Sequence, residues 1–174
     1  MNKKNNNVLI TGAGKRIGAS IATSLAANNW NIALHYNTSE KETCKLSTQL
    51  EKKFNIKTVC IQADLSDLKQ VKNIISTAAG KLGNINCLIN NAASFEYDSI
   101  NSLSSDSWDL HINTNIRAPL FLSQSFVKSI PKNSKGNIIN IIDQRVWNLT
   151  PHFLTYTLSK TALWTLTQTL ALSL

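Results

Sequence analysis

Acidic residues are scarce in this 174-residue chain, where 10 Asp and Glu stand against 18 Lys and Arg for a formal net charge of +8. Such a balance invites a nucleic-acid reading. However, Lys3, Lys4, Lys15, Lys41, Lys52, Lys53, Lys132 and Lys135 are scattered and form no stripe with interleaved aromatics, so nucleic acid is set aside as a partner. The excess positive field suits a small anion better, such as a phosphorylated cofactor. Cysteine is equally sparse. Cys44, Cys60 and Cys87 are an odd number at no metal-ligand or CxxC spacing; reduced thiols in a cytoplasmic protein, with no metal site, are the expectation. No apolar run is long enough for a membrane span, and no signal peptide precedes the first strand. Internal repeats and low-complexity linkers are lacking too. One domain over 1–174 is therefore expected, behind a polar, frayed N-terminus at 1–6.

What is present is an alternation of strand and helix. Hydrophobic residues at 43% and charged residues at 16% describe a globular chain. NVLIT (7–11) reads as a buried parallel strand entering a glycine-rich turn, and RIGASIATSLAANN follows with apolar residues at helical spacing. WNIALHY is a second strand, followed by a charged amphipathic helix that Ser39 and Glu42 begin as a capping box. KTVCIQADL and INCLINNAA are strands three and four, flanking a helix stopped by Gly83. A helix from about Ser105, bent at Pro119, leads to strand five, GNIINIID, and then to a last helix over 156–174. Repeated β-α-β units with right-handed crossovers give an α/β fold with a doubly wound parallel sheet, the three-layer α/β/α Rossmann arrangement.

The stretch TGAGKRIG (11–18) lies between a predicted strand and a predicted helix, the setting of a phosphate-binding turn. Gly12 and Gly14 are expected to bring backbone amides to a pyrophosphate, Gly18 to let the helix pack on the strand, and the helix N-terminus to add its dipole. An acid normally ends strand two where the cofactor ribose is unphosphorylated. Here that end reads His35-Tyr36-Asn37-Thr38-Ser39, with Lys15 and Arg16 in the neighbouring turn. A 2′-phosphate would meet cations and hydroxyls, so NADPH is expected over NADH; the alternative is that these are ordinary surface residues.

Tyr156 and Lys160 are one helical turn apart and share a face. A nearby ammonium is expected to lower the phenol pKa and suit Tyr156 to proton donation. Asp143 stands thirteen residues before Tyr156 and closes an apolar run.

With Thr11-Gly12 and Gly18, Asp64 after strand three, Asn90-Asn91-Ala92-Ala93, Asn115 in the fifth helix and Tyr156/Lys160, the sequence resembles the short-chain dehydrogenase/reductase family along nearly its whole length. The resemblance implies that Lys160 also holds the nicotinamide ribose, that Asn115 relays protons through water, and that Asp64 and Leu65 flank the adenine. It implies as well that Asn91, Ala92 and Ala93 line the cofactor, with Ile17, Ala63 and Ile141 in the same binding set. Three positions depart from the common pattern: Arg16-Ile17-Gly18 ends the glycine motif, Ala93 ends the NNA motif, and Asp143 stands where a serine polarises a carbonyl. TGxxxRxG, Asp143 and the NNAxSF around Phe95 are similar to the pteridine reductase branch, including dihydromonapterin/dihydrofolate reductases. There the matching arginine (Arg16) contacts cofactor phosphate and pterin, and the phenylalanine (Phe95) stacks on the ring.

The chemistry agrees with that branch. A pterin C=N accepts hydride at carbon and a proton at nitrogen, so no carbonyl oxyanion needs a serine, and Asp143 beside Tyr156 can bond pterin nitrogens or help resupply the proton. Alternatively Asp143 is a strand-end residue capping the next turn, and Phe95 a buried loop aromatic. Arg145 approaches an anionic substrate group or faces solvent. Trp164 and the leucines of the last helix are expected to form a packing or dimer face, making a homodimer or homotetramer through the two late helices. The chain stops inside a helix with no capping glycine, where the resemblance implies two more strands and a lid helix. It is expected to be a short form or fragment of weak activity. A general carbonyl or alcohol reductase and a silent dinucleotide-binding protein are the competing readings.

Overall fold

The computed structural model describes residues 6–174; the expectation for the first five residues lies outside them. Five parallel strands, β1 (Asn7–Ile10), β2 (Asn31–Tyr36), β3 (Thr58–Gln62), β4 (Cys87–Asn90) and β5 (Asn137–Asn140), form one sheet in the order β3-β2-β1-β4-β5. Every residue of β1, β2 and β4 is buried, which is why these strands read as continuous apolar runs instead of alternating ones. Alternate side chains of β1 feed different layers. Leu9 joins Ile74, Ile75, Leu122 and Phe126 on one face, while Val8 and Ile10 join Ala22, Ala26 and Leu50 on the other.

The first of these layers is closed by α3 (Leu68–Leu82) and α5 (Ala118–Ser129), the second by α1 (Arg16–Ala27) and α2 (Glu40–Phe54). Two further helices, α4 (Ser105–Ile112) and α6 (Leu154–Ser173), pack on each other. Burying one Leu or Ile fully contributes about 1.5–3 kcal/mol, so these two layers supply most of what holds the sheet. The order reverses between β1, which turns out towards β2, and β4 on its other side. The C-terminal ends of those strands flank the crevice where open α/β sheets take ligands.

Local expectations differ from the structure at three places. Ser39 makes no side-chain cap on α2, and the Glu42 carboxylate that would supply the return bond of the box pairs instead with the Lys15 ammonium at 2.7 Å. The expected bend at Pro119 is a π-helical stretch, Asn113–Arg117, one turn earlier. Proline has no N–H to donate back into the preceding turn, and the chain widens there, with Ala118 N–H donating to Asn113 O. Helix α6 begins at Leu154, two residues before Tyr156, after Phe153 adopts a left-handed conformation with φ +58°.

Candidate active site

The turn between β1 and α1 is held open by contacts that tolerate no extra atoms. Gly12 has φ +62°, and a Cβ there would lie 3.0 Å from Ala92 Cα. A Cβ on Gly18 would collide with the Gly12 carbonyl oxygen. Gly14 also has a packing duty. A Cβ there would strike Thr43 and Ser39 on the α2 side, so this glycine lets α2 approach the turn. Thr11 ties the strand ends together: its hydroxyl accepts the amides of Asn91 and Ala92 at 2.9 and 3.0 Å. Asn91 Nδ2 returns bonds to the carbonyls of Thr11 and Gly12 at 2.9 and 3.0 Å. Arg16 carries φ +50°, a conformation that costs a non-glycine residue about 1–2 kcal/mol. Backbone strain of this kind gathers at ligand-binding turns.

His35 is a correction. It is buried, its Nδ1 accepts the Gly12 amide at 3.2 Å, and its Nε2 lies 3.1 Å from Ala63 O. The pattern assigns the proton to Nε2 and keeps the ring neutral; burial pushes its pKa down to about 4. His35 therefore shapes the turn from behind and offers no cation to a phosphate. Tyr36 is buried beside it, whereas Asn37 and Thr38 are exposed and Ser39 half-buried at the end of β2. Lys15 and Arg16 are exposed on the turn, Lys15 paired with Glu42, and Ile17 is 58% exposed. On the β3 side Ala63 and Leu65 are buried, and Asp64 spends its Oδ1 on the amide and hydroxyl of Ser66, each at 2.8 Å.

At the other lip of the crevice Tyr156 Oη donates to Asp143 Oδ2 at 2.8 Å. The same carboxylate accepts the Arg145 amide through Oδ1 at 2.9 Å and caps the 3-10 turn Gln144–Val146. Turn capping and contact with the phenol coexist in one side chain. The expectation for the phenol's acidity is reversed. Burial raises the Tyr156 pKa well above its ordinary value, and the Asp143 hydrogen bond and charge add to the rise. Lys160 is not beside the hydroxyl: its Nζ donates to Ile141 O at 2.8 Å and sits 5.8 Å from the Tyr156 ring centroid. Burial lowers the Lys160 pKa. Residues four apart share a helix face, but a buried ammonium takes the nearest unfilled carbonyl.

Asn115 is completely buried in the π-helical stretch, a feature that recurs at functional sites. Its Oδ1 accepts the Ser94 amide at 2.8 Å, and its Nδ2 donates to Ser94 O and Ser159 Oγ at 2.9 and 3.0 Å. It thus clamps the loop after β4 to α6. Ala93 and Phe95 are exposed on that loop. Phe95 stacks on Phe153 with centroids 4.4 Å apart and meets the Tyr156 ring edge-on at 4.6 Å, so it is not a buried loop aromatic.

Sequence reasoning missed Phe153 and a second network beneath it. Glu96 N–H donates to His111 Nε2 at 3.0 Å, and His111 Nδ1 lies 2.6 Å from Thr155 Oγ1, which bonds Asp98 Oδ2. With Nε2 accepting, the pattern assigns a neutral His111 that donates to Thr155, which donates to Asp98. Burial lowers the His111 pKa and keeps it so. Phe153's position three before Tyr156, on the same turn, was the available signal. A cleft of about 420 Å³ between α5, β5 and the end of α6 contains none of the candidate residues. Among the described residues no group of three His, Cys, Asp or Glu could hold a metal, no helix is long and apolar enough to cross a membrane, and the three cysteines are free.

A parallel sheet with this order, an open glycine turn at its switch point and a Tyr/Lys pair across the crevice define a dinucleotide-binding Rossmann class. The chain belongs to the short chain dehydrogenase family, whose model matches residues 6–174. The crystal structure of FolM Alternative dihydrofolate reductase 1 from Brucella canis, complexed with NADP, superposes with a TM-score of 0.93 at 37% identity, covering 97% of this chain and 68% of that one. A short-chain type dehydrogenase/reductase of Picea abies is 25% identical over 170 residues, 94% of this chain and 63% of that protein. The 3-oxoacyl-acyl-carrier-protein reductase FabG of Staphylococcus aureus is 28% identical over 139 residues, 80% of this chain and 56% of its own length. The chain thus spans less than two thirds of the length of these curated relatives.

Proposed function

We propose that this protein is an NADPH-dependent reductase that transfers hydride to a C=N bond of a pterin or dihydrofolate-like ring. The observation that carries the reading is the 2.8 Å bond from Tyr156 Oη to Asp143. A carboxylate there cannot donate to a developing carbonyl oxyanion as a serine would, but it can accept N–H bonds from an amino-substituted ring. The similarity to a dihydrofolate reductase solved with NADP supports it further.

The residues fit a dinucleotide. Gly12 and Gly18 leave the turn too crowded for side chains of their own but clear on its outer side, and Asn91 to Ala93 border it. Lys15, Arg16, Asn37, Thr38 and Ser39 would hold the adenosine end with its 2′-phosphate, Asp64 and Leu65 the adenine, and Ile141, Tyr156 and Lys160 the nicotinamide end. Once bound, the cofactor supplies the hydride. Tyr156 then gives its proton to the ring nitrogen while Asp143 orients the ring's N–H groups. The phenol's raised pKa keeps that proton available at neutral pH. Phe95, half-exposed beside Tyr156, supplies a flat surface for the ring, and Asn115 holds the loop that carries it. Pairing through the two late helices, α5 and α6, is part of the same proposal, supported by the exposure of Leu120 and Leu158; light scattering at two concentrations tests it.

Oxidation of NADPH with dihydrobiopterin, dihydrofolate and a panel of carbonyl compounds tests the reaction. Turnover of a ring substrate is the expected result. Turnover confined to the carbonyl compounds would replace this reading with the general reductase that the likeness to FabG favours, and NADPH binding without any turnover would leave the silent dinucleotide-binding protein.

A further inference from the structure

Arg145 has no counterpart to its charge within the described protein. Its Nη1 donates to Thr150 Oγ1 at 2.7 Å, and Thr150 in turn donates to His152 O at 3.1 Å. The guanidinium carbon lies 4.6 Å from the Phe153 ring centroid and 5.9 Å from that of Phe95. The backbone on which it stands is fixed as well, since its amide donates to Asp143. A guanidinium carries five N–H donors; among the described residues one of these, to Thr150, reaches a protein acceptor. The single ion pair among those residues is Lys15 with Glu42, on the other side of the crevice. Asp143, its neighbour in sequence, already accepts from Tyr156 and from the Arg145 amide.

The guanidinium is therefore half-buried, oriented by two rings and a hydroxyl, and left with most of its donors unused. Its charge reaches the proton donor, lowering the Tyr156 pKa against the larger effects that raise it. A planar fork held this way matches a carboxylate, which it can grip through two parallel bonds, better than it matches a neutral group. The aromatic pair beneath it is the surface on which a flat ring would lie.

We propose that Arg145 is a specificity residue that receives a carboxylate carried on the substrate's side chain, so that the site favours carboxylate-bearing rings over rings with neutral side chains. The inference rests on the pterin reading and adds to it the class of side chain. Arg145 lies over both Phe95 and Phe153, so a ring seated against Phe95 would turn its substituent towards the guanidinium. The attraction acts first on binding, because the Arg145 side chain makes no hydrogen bond to Asp143 or Tyr156 among the described residues.

The test measures binding of dihydrofolate, which bears carboxylates, and of dihydrobiopterin, which bears none, to the full chain loaded with NADP+. Calorimetry is run on the unaltered protein, on Arg145→Gln and on Arg145→Lys. Loss of a charged hydrogen bond predicts that Arg145→Gln lowers the preference for dihydrofolate over dihydrobiopterin by about tenfold or more, with Arg145→Lys in between. Circular dichroism of each variant confirms that it folds. An equal loss of affinity for both ligands, or an unchanged preference, overturns the role of Arg145 and leaves the pterin reading standing. Failure of the unaltered protein to bind either ring overturns both.

Discussion

Phe95 and Phe153 lie face to face with their planes 6° from parallel, although they are separated by the whole of α4, α5 and β5 in sequence. One comes from the loop after β4 and the other from the residue that starts α6 in a left-handed conformation. Phe95 is nevertheless 52% exposed, so the pair is a platform rather than a core.

That combination separates binding from stability. Phe95→Leu should destabilise the fold by less than about 1 kcal/mol, since aromatic pairs contribute roughly 0.5–1.5 kcal/mol and half the ring is already in water. It should raise the KM for a ring substrate at least several-fold. Urea unfolding and steady-state kinetics on the same preparation check both halves; a stability loss with unchanged KM would contradict the assignment.

Asp143→Ser is the substitution that interrogates the chemistry. Serine still caps the 3-10 turn, so the fold should persist. Ring turnover should fall by about a hundredfold if the carboxylate orients the substrate at the point of proton transfer. Any gain should appear with carbonyl compounds, because serine can donate where a carboxylate cannot. Comparing kcat/KM for the two substrate classes decides the matter.

Lys15 and Glu42 form an exposed pair of the sort that solvent screening leaves weak. A 2′-phosphate would compete with Glu42 for the ammonium. Glu42→Gln should therefore lower the KM for NADPH a few-fold, leave that for NADH unchanged, and shrink in effect as salt is raised. An identical change for both cofactors would place the pair outside the phosphate site.

His35 makes the fold acid-sensitive. Its folded pKa is depressed from 6.5 to about 4, so the unfolded chain binds the proton more readily. Its contribution is whole above pH 6.5 and is lost as pH falls towards the folded value, on the order of 3 kcal/mol in all. Denaturant midpoints measured at pH 7 and pH 4.5 should differ, and His35→Asn, which keeps an acceptor for the Gly12 amide, should flatten the difference.

The alternation of elements was legible because parallel strands buried on both faces leave unbroken apolar runs, and NVLI and NIALHY are such runs. The turn was legible because glycine between strand and helix has few other uses. What stayed hidden depends on partners distant in sequence. Thr155 finds Asp98 across 57 positions and Ser159 finds Asn115 across 44. Glu42 satisfied a local capping pattern and was captured by Lys15 instead. Helical spacing placed Tyr156 and Lys160 on one face correctly, yet it could not reveal that Ile141 O takes the ammonium while Asp143 takes the phenol. His35 looked like a ligand contact because it ends the strand beside the turn, and packing gave it to the protein's own interior.

The hydrogen-bonded chain from the Glu96 amide through buried His111 and Thr155 to Asp98 fastens the loop bearing Phe95 to the first turn of α6, which bears Tyr156. The proposed floor for a substrate and the proposed acid are therefore joined through one set of hydrogen bonds. On the proposed function, a mutation that widens the mouth for a bulkier guest would also re-aim the proton, which ties the choice of guest to the speed of the chemistry.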